Sequence, residues 1–188
     1  MIRAWMAPAG MGLALAAGQL TPEQSRSAGQ KLQRIMEQKL APGASVILSQ
    51  DELNSYLRYD GASELPPGLS KPQFHLEKDR VRASAWVDFL EWKAATGSSP
   101  GPVLSWLLKG KRRVEAVCRY TSADGWGQVD IERVVIGGVP VAGSAVTFLI
   151  ERMVQPSYPD AVVGRRTKLG YNLRQVRVES GRAVVTSW

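Results

Sequence analysis

Between Arg80 and Ile136 the chain alternates apolar and polar residues over long stretches, as β-strands with one buried face do. Two hairpin turns border or interrupt this region, one at Lys78-Asp79-Arg80 and one at Ala123-Asp124-Gly125, where the Asp-Gly step favours a tight turn. The alternation changes phase near Glu132-Arg133, which indicates a β-bulge. The pattern therefore predicts a broad antiparallel sheet with one apolar face.

Three segments have sequence features that are typical of helices. Thr21-Pro22-Glu23-Gln24 has the composition of a capped helix start, and apolar residues follow it at helical spacing. Ser49 and Glu52 have the spacing of a second capping box, which predicts a short helix. The almost uncharged segment Val139–Val154 follows Gly137-Gly138 and is predicted to be an apolar helix that is buried on more than one side.

Two closing strands are predicted within Lys168–Trp188, meeting at Glu179-Ser180-Gly181-Arg182. The order of these elements predicts an α+β fold in which an antiparallel sheet packs with two main helices. We expect residues 1–18 to be a signal peptide and residues 19–188 to form a single α+β domain.

The expectation of a signal peptide depends on three features of the N-terminal segment. Arg3 supplies a positive start, residues 4–16 form a short apolar run, and Ala14-Leu15-Ala16 has the small-x-small pattern of a cleavage site. The protein is therefore predicted to be exported to the periplasm or cell envelope. The alternative is a cytosolic protein whose start codon has been placed too far upstream.

Composition changes this picture little. The chain has 188 residues, 44% apolar and 22% charged, which is ordinary for a soluble globular protein. A net charge of +7 and a pI near 9.8 favour polyanionic partners such as nucleic acid or anionic lipid headgroups without choosing between them. A single cysteine excludes an intramolecular disulfide and a Cys-based zinc site.

Reactive groups are few. The lone histidine, His75, lies beside Phe74 and Leu76, and no motif supplies the partner that acid–base catalysis needs. Cys118 alternates with inward-facing apolar residues and is expected to be a packed thiol. We therefore expect no enzyme activity, no metal and no cofactor. A hydrolase that uses His75 with an unrecognised carboxylate is the more distant alternative.

Two basic runs precede predicted strands and are expected to share one end of the sheet. One interpretation is a rim that faces lipid phosphates, and the other is a solvated turn with a charged edge strand. Neither run has the framework of a nucleic-acid-binding motif, so no nucleic-acid partner is expected. The residues of this anion-facing rim are Lys109, Lys111, Arg112, Arg113, Arg165, Arg166 and Lys168.

The predicted strand Val81–Trp92 becomes apolar on both faces toward its end. Trp86, Leu90 and Trp92 fall on even positions, whereas the odd positions are already apolar. Such a strand is expected to be covered on both faces. Either a helix packs on each side, or one side lines a cavity.

The order of elements and one short motif carry a resemblance. The segment Leu48-Ser49-Gln50-Asp51-Glu52-Leu53-Asn54-Ser55-Tyr56-Leu57 precedes the meandering strands. After the strands, Ile136-Gly137-Gly138-Val139-Pro140-Val141 leads into the apolar helix, and the closing strands follow. This order resembles bacterial envelope proteins of the tubular lipid-binding (TULIP-like) superfamily, in which a twisted antiparallel sheet wraps a long helix. The chain departs from that pattern in size, since one compact unit has room for a small cavity or none.

The resemblance implies a fold in which a curved antiparallel β-sheet is wrapped around a long N-terminal helix with a second apolar helix. It also implies a non-enzymatic carrier that binds or transfers a lipid or other hydrophobic ligand in the cell envelope, with an anionic membrane surface as a further partner. The alternative is a structural or protein-interaction envelope protein with a filled core and no ligand. The residues expected to line a ligand cavity are Trp86, Leu90, Trp92, Trp106, Ala145, Phe148, Leu149 and Met153.

Overall fold

A computed structural model describes residues 19–96, 108–151 and 164–188 of the chain. These residues form an α+β fold with antiparallel sheets, which confirms the predicted class. The predicted signal peptide, residues 1–18, lies outside the described residues. None of the helices in the described part is both long enough and apolar enough to span a membrane.

Strands predominate over helices in the described part of the chain. The helices are α1 (Pro22–Met36), α2 (Gln50–Arg58), α3 (Phe89–Thr96) and α4 (Ser144–Leu149), with a 3-10 helix at Gly61–Glu64. The strands are β1 (Ser45–Ser49), β2 (Leu69–Glu77), β3 (Arg80–Asp88), β4 (Lys111–Ala123), β5 (Trp126–Ile136), β6 (Val139–Val141), β7 (Thr167–Lys168), β8 (Leu173–Glu179) and β9 (Arg182–Ser187).

The strands form two antiparallel sheets. The large sheet has the order β2-β3-β4-β5-β6, and β7 pairs with the start of β5. The small sheet has the order β1-β9-β8, so the two closing strands predicted from the sequence form a hairpin that then pairs with β1. Both sheets are open as far as the described strands show.

Helix α1 begins with the predicted capping box. Thr21 Oγ1 accepts a hydrogen bond from the Gln24 N–H at 3.2 Å, and Gln24 Oε1 accepts one from the Thr21 N–H at 3.1 Å. The Ser55 hydroxyl of α2 donates to the same Gln24 oxygen at 3.0 Å. The start of α1 is therefore bound to α2.

The expectation that the sheet wraps around α1 is not confirmed. Ala28 and Ile35 of α1 pack against Val46 and Leu173 of the small sheet, in one apolar cluster with side chains of α2. The apolar face of the large sheet instead packs against Leu149 of α4 and its neighbours. Helix α1 has 15 residues and one apolar stripe, and the small sheet and α2 cover that stripe. The cluster on the large sheet contains no residue of α1.

Helix α2 holds the motif that carried the resemblance, and its residues have structural roles. Ser49 and Glu52 form the second predicted capping box, with hydrogen bonds of 3.1 and 2.8 Å. The buried Asn54 amide donates to the Phe74 carbonyl at 2.8 Å and accepts from the Phe74 N–H at 2.7 Å. Asn54 thereby pairs with the free edge of β2 as a neighbouring strand would.

The large sheet has one apolar face and one charged face, as the alternation predicted. Val117 pairs with Arg133 and Cys118 pairs with Ile131, so Glu132 is the extra residue of the predicted bulge. The Glu132 carboxylate accepts hydrogen bonds from Arg80 on β3, at 2.9 and 3.3 Å, and from Arg119 on β4. Charged residues on the outer face are thus paired with one another.

The predicted strand Val81–Trp92 is too long, because β3 ends at Asp88. The Asp88 carboxylate accepts hydrogen bonds from the backbone N–H groups of Leu90 and Glu91, at 3.0 and 3.3 Å, which starts α3 at Phe89. Leu90 therefore lies on a helix and is 61% exposed. The expectation that this end of the strand is covered on both faces is wrong for Trp86 and Leu90, which are both exposed.

The predicted helix Val139–Val154 begins too early. Gly137 and Gly138 both have positive φ values, 56° and 86°, and make a tight turn from β5 into β6. Val139 and Val141 consequently pair with Ile136 and Val134, and α4 begins only at Ser144. Residues 152–154 of the predicted helix lie outside the described part of the chain.

Candidate ligand-binding groove

An apolar groove with a volume of about 450 Å³ opens on the inner face of the large sheet. Strands β3, β4 and β5 supply one part of its lining. Leu57 of α2 and the segment from Leu65 to Phe74 supply a second part, and Val146, Leu149 and Ile150 at α4 supply the third. The groove therefore lies between the sheet, an irregular segment and a short helix.

Small side chains on the sheet leave the space for this groove. Ala83 pairs with Ala116, and Ala85 on the same face of β3 pairs with Val114. All four side chains line the groove. Larger residues at the same positions would fill the volume, because inward-facing side chains of adjacent strands stand about 5 Å apart.

The lining is almost wholly apolar. Ser84 is the one residue with a polar side chain among those described around the groove. Strand alternation directs that side chain to the outer face, where Ser84 pairs with Glu115. The arrangement can exclude water from an apolar molecule, and no nucleophile or base faces the groove among the residues described around it.

The structure brings together only some of the residues expected to line a cavity. Leu149 lines the groove. Ala145 packs against the apolar cluster of the large sheet, which includes Leu149. Trp86 and Leu90 are exposed and do not line this groove. Trp106 and Met153, and the side chains of Trp92 and Phe148, lie outside what the structure describes.

Sequence reasoning missed the lining that comes from the segment after α2. Leu65, Pro66, Pro67 and Leu69 border the groove, in a stretch whose prolines and Gly68 are typical of a loop. The available signal was its apolar content, since three of the four residues from Pro66 to Leu69 have apolar side chains.

The two basic runs lie at opposite ends of the β4–β5 hairpin, so the expectation that they share one end of the sheet is wrong. Lys111 pairs with Asp88 at the start of β4, whereas Lys168 pairs with Trp126 at the far end of the hairpin. The four residues Lys109, Lys111, Arg112 and Arg113 are near one end, and Arg165, Arg166 and Lys168 are near the other. The runs do not form one continuous rim.

Trp86 lies with the first basic run on the outer face of the large sheet. It pairs with Arg113 across β3 and β4, and the two border a surface depression with Lys111, Arg112 and Glu115. Arg113 is bound to Glu115 at 3.0 Å. The Nε atom of Arg112 is buried and has no hydrogen-bond partner among the residues described.

The chemical candidates remain separate from one another. His75 is exposed on the outer face, with Nε2 3.6 Å from Glu77 Oε1. Cys118 is half-buried, and burial together with the charge of Glu132 raises the pKa of its thiol. Within residues 19–96, 108–151 and 164–188, no three His, Cys, Asp or Glu residues are grouped so that they could hold a metal ion.

Comparison of the chain with protein-family models, curated proteins and solved structures gives no match. None of these comparisons identifies a relationship to the tubular lipid-binding superfamily. The groove and the surface of the protein itself are therefore the features that bear on its function.

Proposed function

We propose that this protein binds or transfers a lipid or another hydrophobic ligand in the groove without catalysing a reaction, as an exported protein of the periplasm or cell envelope. The observation that supports the proposal is an apolar groove of about 450 Å³ whose described lining is almost free of polar side chains. Ligand pockets in proteins commonly measure about 300–1,000 Å³. The groove is therefore large enough for part of an acyl chain or a comparable apolar molecule.

The physical basis is removal of apolar surface from water. Each buried methylene contributes about 0.8 kcal/mol, so about ten methylenes contribute about 8 kcal/mol. That free energy corresponds to a Kd of about 1 μM before the cost of ordering the ligand. No reactive residue is needed for such binding. The resemblance to TULIP-like proteins, in which a twisted antiparallel sheet wraps a long helix, belongs to the same proposal.

The rival is an envelope protein with the same fold, a filled core and a protein partner. In that case apolar side chains of the protein itself occupy the space between the sheet and α4. The two proposals differ in one measurable respect, which is whether a foreign apolar molecule occupies the groove.

The first experiment is native mass spectrometry of the full chain after expression in bacteria and purification without detergent. A ligand-binding protein is expected to carry a stoichiometric adduct that is lost on denaturation, and extraction with organic solvent then gives the ligand class. A mass without adduct, unchanged after incubation with membrane extract, would overturn the proposal in favour of the filled core.

A substitution that fills the groove sharpens this test. Ala116→Leu adds three carbon atoms at a position that lines the groove. If the groove is open, the variant should lose most of the ligand adduct, and the stability of the ligand-free protein should be unchanged or higher. If the core is filled, the same substitution overpacks it and should lower the free energy of unfolding by about 1–3 kcal/mol.

Val117→Leu is the matched control. Val117 is the next residue of β4 and pairs with Arg82 and Arg133 on the outer face of the sheet. This variant should bind ligand as the wild-type protein does. Equal loss of ligand in both variants would count against the groove as the binding site.

A further inference from the structure

A patch of exposed aromatic and basic residues surrounds the turn at Gly125, and we call it the Gly125 patch. The Gly125 N–H donates to the Arg174 carbonyl at 2.7 Å, and the Leu169 N–H donates to the Gly125 carbonyl at 2.7 Å. These two bonds bring the residues near 125 together with those near 169 and 174, which lie more than 40 positions later in the sequence. The patch consists of Trp126, Tyr171 and Trp188 with Arg166, Lys168 and Arg174.

The three aromatic side chains of the patch are exposed to solvent. Trp126, Tyr171 and Trp188 are 37%, 52% and 50% exposed. Tryptophan and tyrosine present a large apolar surface together with one polar group, so they are suited to a boundary between water and an apolar phase. The backbone bonds of Gly125, and the bond from the Trp188 N–H to the Asn172 carbonyl, bring the segments that carry these side chains to one turn.

Basic groups lie directly against the two indole rings. The Arg166 guanidinium and the Lys168 ammonium are 5.9 and 5.8 Å from the centre of the Trp126 ring. The Arg174 guanidinium is 5.7 Å from the centre of the Trp188 ring. The aromatic surface and the positive charge therefore belong to one patch.

Among the described residues, no carboxylate forms an ion pair with the three cations of the patch. These cations are Arg166, Lys168 and Arg174, and Asp124 is the acidic residue of the turn itself. On the outer face of the large sheet, in contrast, Arg80 and Arg119 are both paired with Glu132. The Gly125 patch thus keeps its positive charge available for an anionic partner.

We infer that the Gly125 patch docks the protein onto an anionic lipid bilayer. The cations meet lipid phosphates, and the indole and phenol rings enter the headgroup region. Single-stranded nucleic acid is a poorer fit, because bases need free ring faces on which to stack. The Trp188 ring does not have both faces free: the Arg174 guanidinium covers one side, and Gly125 lies close to the ring. A Cβ added at Gly125 would be 3.3 Å from Trp188 Nε1. The inference uses no part of the groove and goes beyond the proposed ligand binding.

The test is sedimentation of the full chain with vesicles of phosphatidylcholine alone and of phosphatidylcholine with phosphatidylglycerol. We expect binding to the anionic vesicles only, and weaker binding as salt is raised. The triple variant Arg166→Gln, Lys168→Gln, Arg174→Gln should bind about 100-fold more weakly, since each cation near the surface contributes about fivefold.

A charge-matched control separates the patch from the overall positive charge. The triple variant Arg34→Gln, Lys78→Gln, Arg133→Gln removes the same charge from exposed residues elsewhere on the protein. It should retain most of the binding. Equal losses in the two triple variants would overturn the inference, because binding would then depend on net charge and not on this patch.

Two further variants complete the design. Trp126→Ala with Trp188→Ala should weaken binding even at low salt, because it removes the apolar part of the contact and leaves the net charge unchanged. Ala116→Leu, which fills the groove, should bind vesicles normally, so failure of the ligand proposal and failure of this inference are distinguishable. Tighter binding to single-stranded RNA than to vesicles, lost in the same patch variants, would also overturn the inference.

Discussion

The Ser122 hydroxyl binds both backbone groups of Val176. Its Oγ donates to the Val176 carbonyl at 2.6 Å and accepts from the Val176 N–H at 2.8 Å. Gln175 Nε2 adds a bond of 3.0 Å to the Ser122 carbonyl. Ser122 lies near the end of β4 in the large sheet, and Val176 lies on β8 at an edge of the small sheet. One hydroxyl therefore takes the place of a strand partner and joins the two sheets.

We predict that Ser122→Ala destabilises the protein by about 1–3 kcal/mol, because it leaves a backbone donor and acceptor of Val176 without their partner. The measurement is urea unfolding followed by circular dichroism. Ser180→Ala, at an exposed position in the β8–β9 turn, is the control and should change stability by no more than about 0.5 kcal/mol. An unchanged stability for Ser122→Ala would mean that water replaces the hydroxyl at this edge.

A second side chain acts on another edge strand in the same way. Asn54 binds both the N–H and the carbonyl of Phe74 on β2. We predict that Asn54→Leu speeds amide hydrogen exchange at Phe74 and lowers the free energy of unfolding by about 1–3 kcal/mol.

Asn54→Asp keeps the acceptor for the Phe74 N–H and loses the donor to the Phe74 carbonyl. Its charge would also be buried beside that carbonyl, so this variant should be destabilised as well. If both variants exchange the Phe74 amide as slowly as the wild-type protein, the side chain of Asn54 does not hold the β2 edge.

Features that depend on adjacent residues could be predicted from the sequence. The capping boxes at Thr21 and Ser49 form within four residues, and the bulge at Glu132 is visible as a change of phase within one strand. Features that depend on a partner far away in the sequence could not be predicted in this way. Gly137-Gly138 is compatible with a loop before a helix and with a hairpin turn, and pairing of Val141 with Val134 selects the hairpin.

For the same reason, the sequence predicted only part of the groove lining. Leu149 was expected from the apolar character of its segment, and it lines the groove. Leu65 and Leu69 were not expected, because their role requires an irregular segment to cross the sheet, which no local pattern encodes. Trp86 was selected on the assumption that both faces of β3 are covered, whereas its outer face carries charged neighbours such as Arg113.

Packing around Tyr56 gives a third prediction. A Cβ added at Gly61 would lie 2.7 Å from Cε1 and 3.0 Å from Cδ1 of the Tyr56 ring. Gly61→Ala should therefore force the ring to move, and we expect a loss of about 1–3 kcal/mol in the free energy of unfolding.

Gly170→Ala is the matched control for that substitution. A Cβ at Gly170 would meet no atom within 4 Å, and the residue does not have a positive φ. This variant should be neutral or slightly stabilising, because alanine restricts the unfolded chain more than glycine does. A Gly61→Ala protein as stable as Gly170→Ala would show that Tyr56 can move at little cost.

The ionisation of Glu52 gives a prediction about acid stability. Burial raises the pKa of its carboxyl. The carboxylate accepts hydrogen bonds from the Lys31 and Ser27 side chains and from the Ser49 N–H. Together with the charge of Lys31, these bonds outweigh burial and lower the pKa from 4.5 to about 2. The folded protein therefore binds fewer protons at this site than the unfolded chain between those two pH values. Its stability must fall as the pH falls through that range.

Glu52→Gln should remove this contribution. Above about pH 5 the variant should be less stable than the wild-type protein by about 1–3 kcal/mol, because Gln cannot replace a charged acceptor of three donors. The difference should shrink toward zero near pH 2, where the wild-type carboxyl is also becoming protonated. Urea unfolding at a series of pH values measures both quantities, with the exposed Glu91→Gln as a control that should follow the wild-type curve. A stability difference that stays constant from pH 7 to pH 2 would show that Glu52 stabilises the fold through its shape and packing and not through its charge.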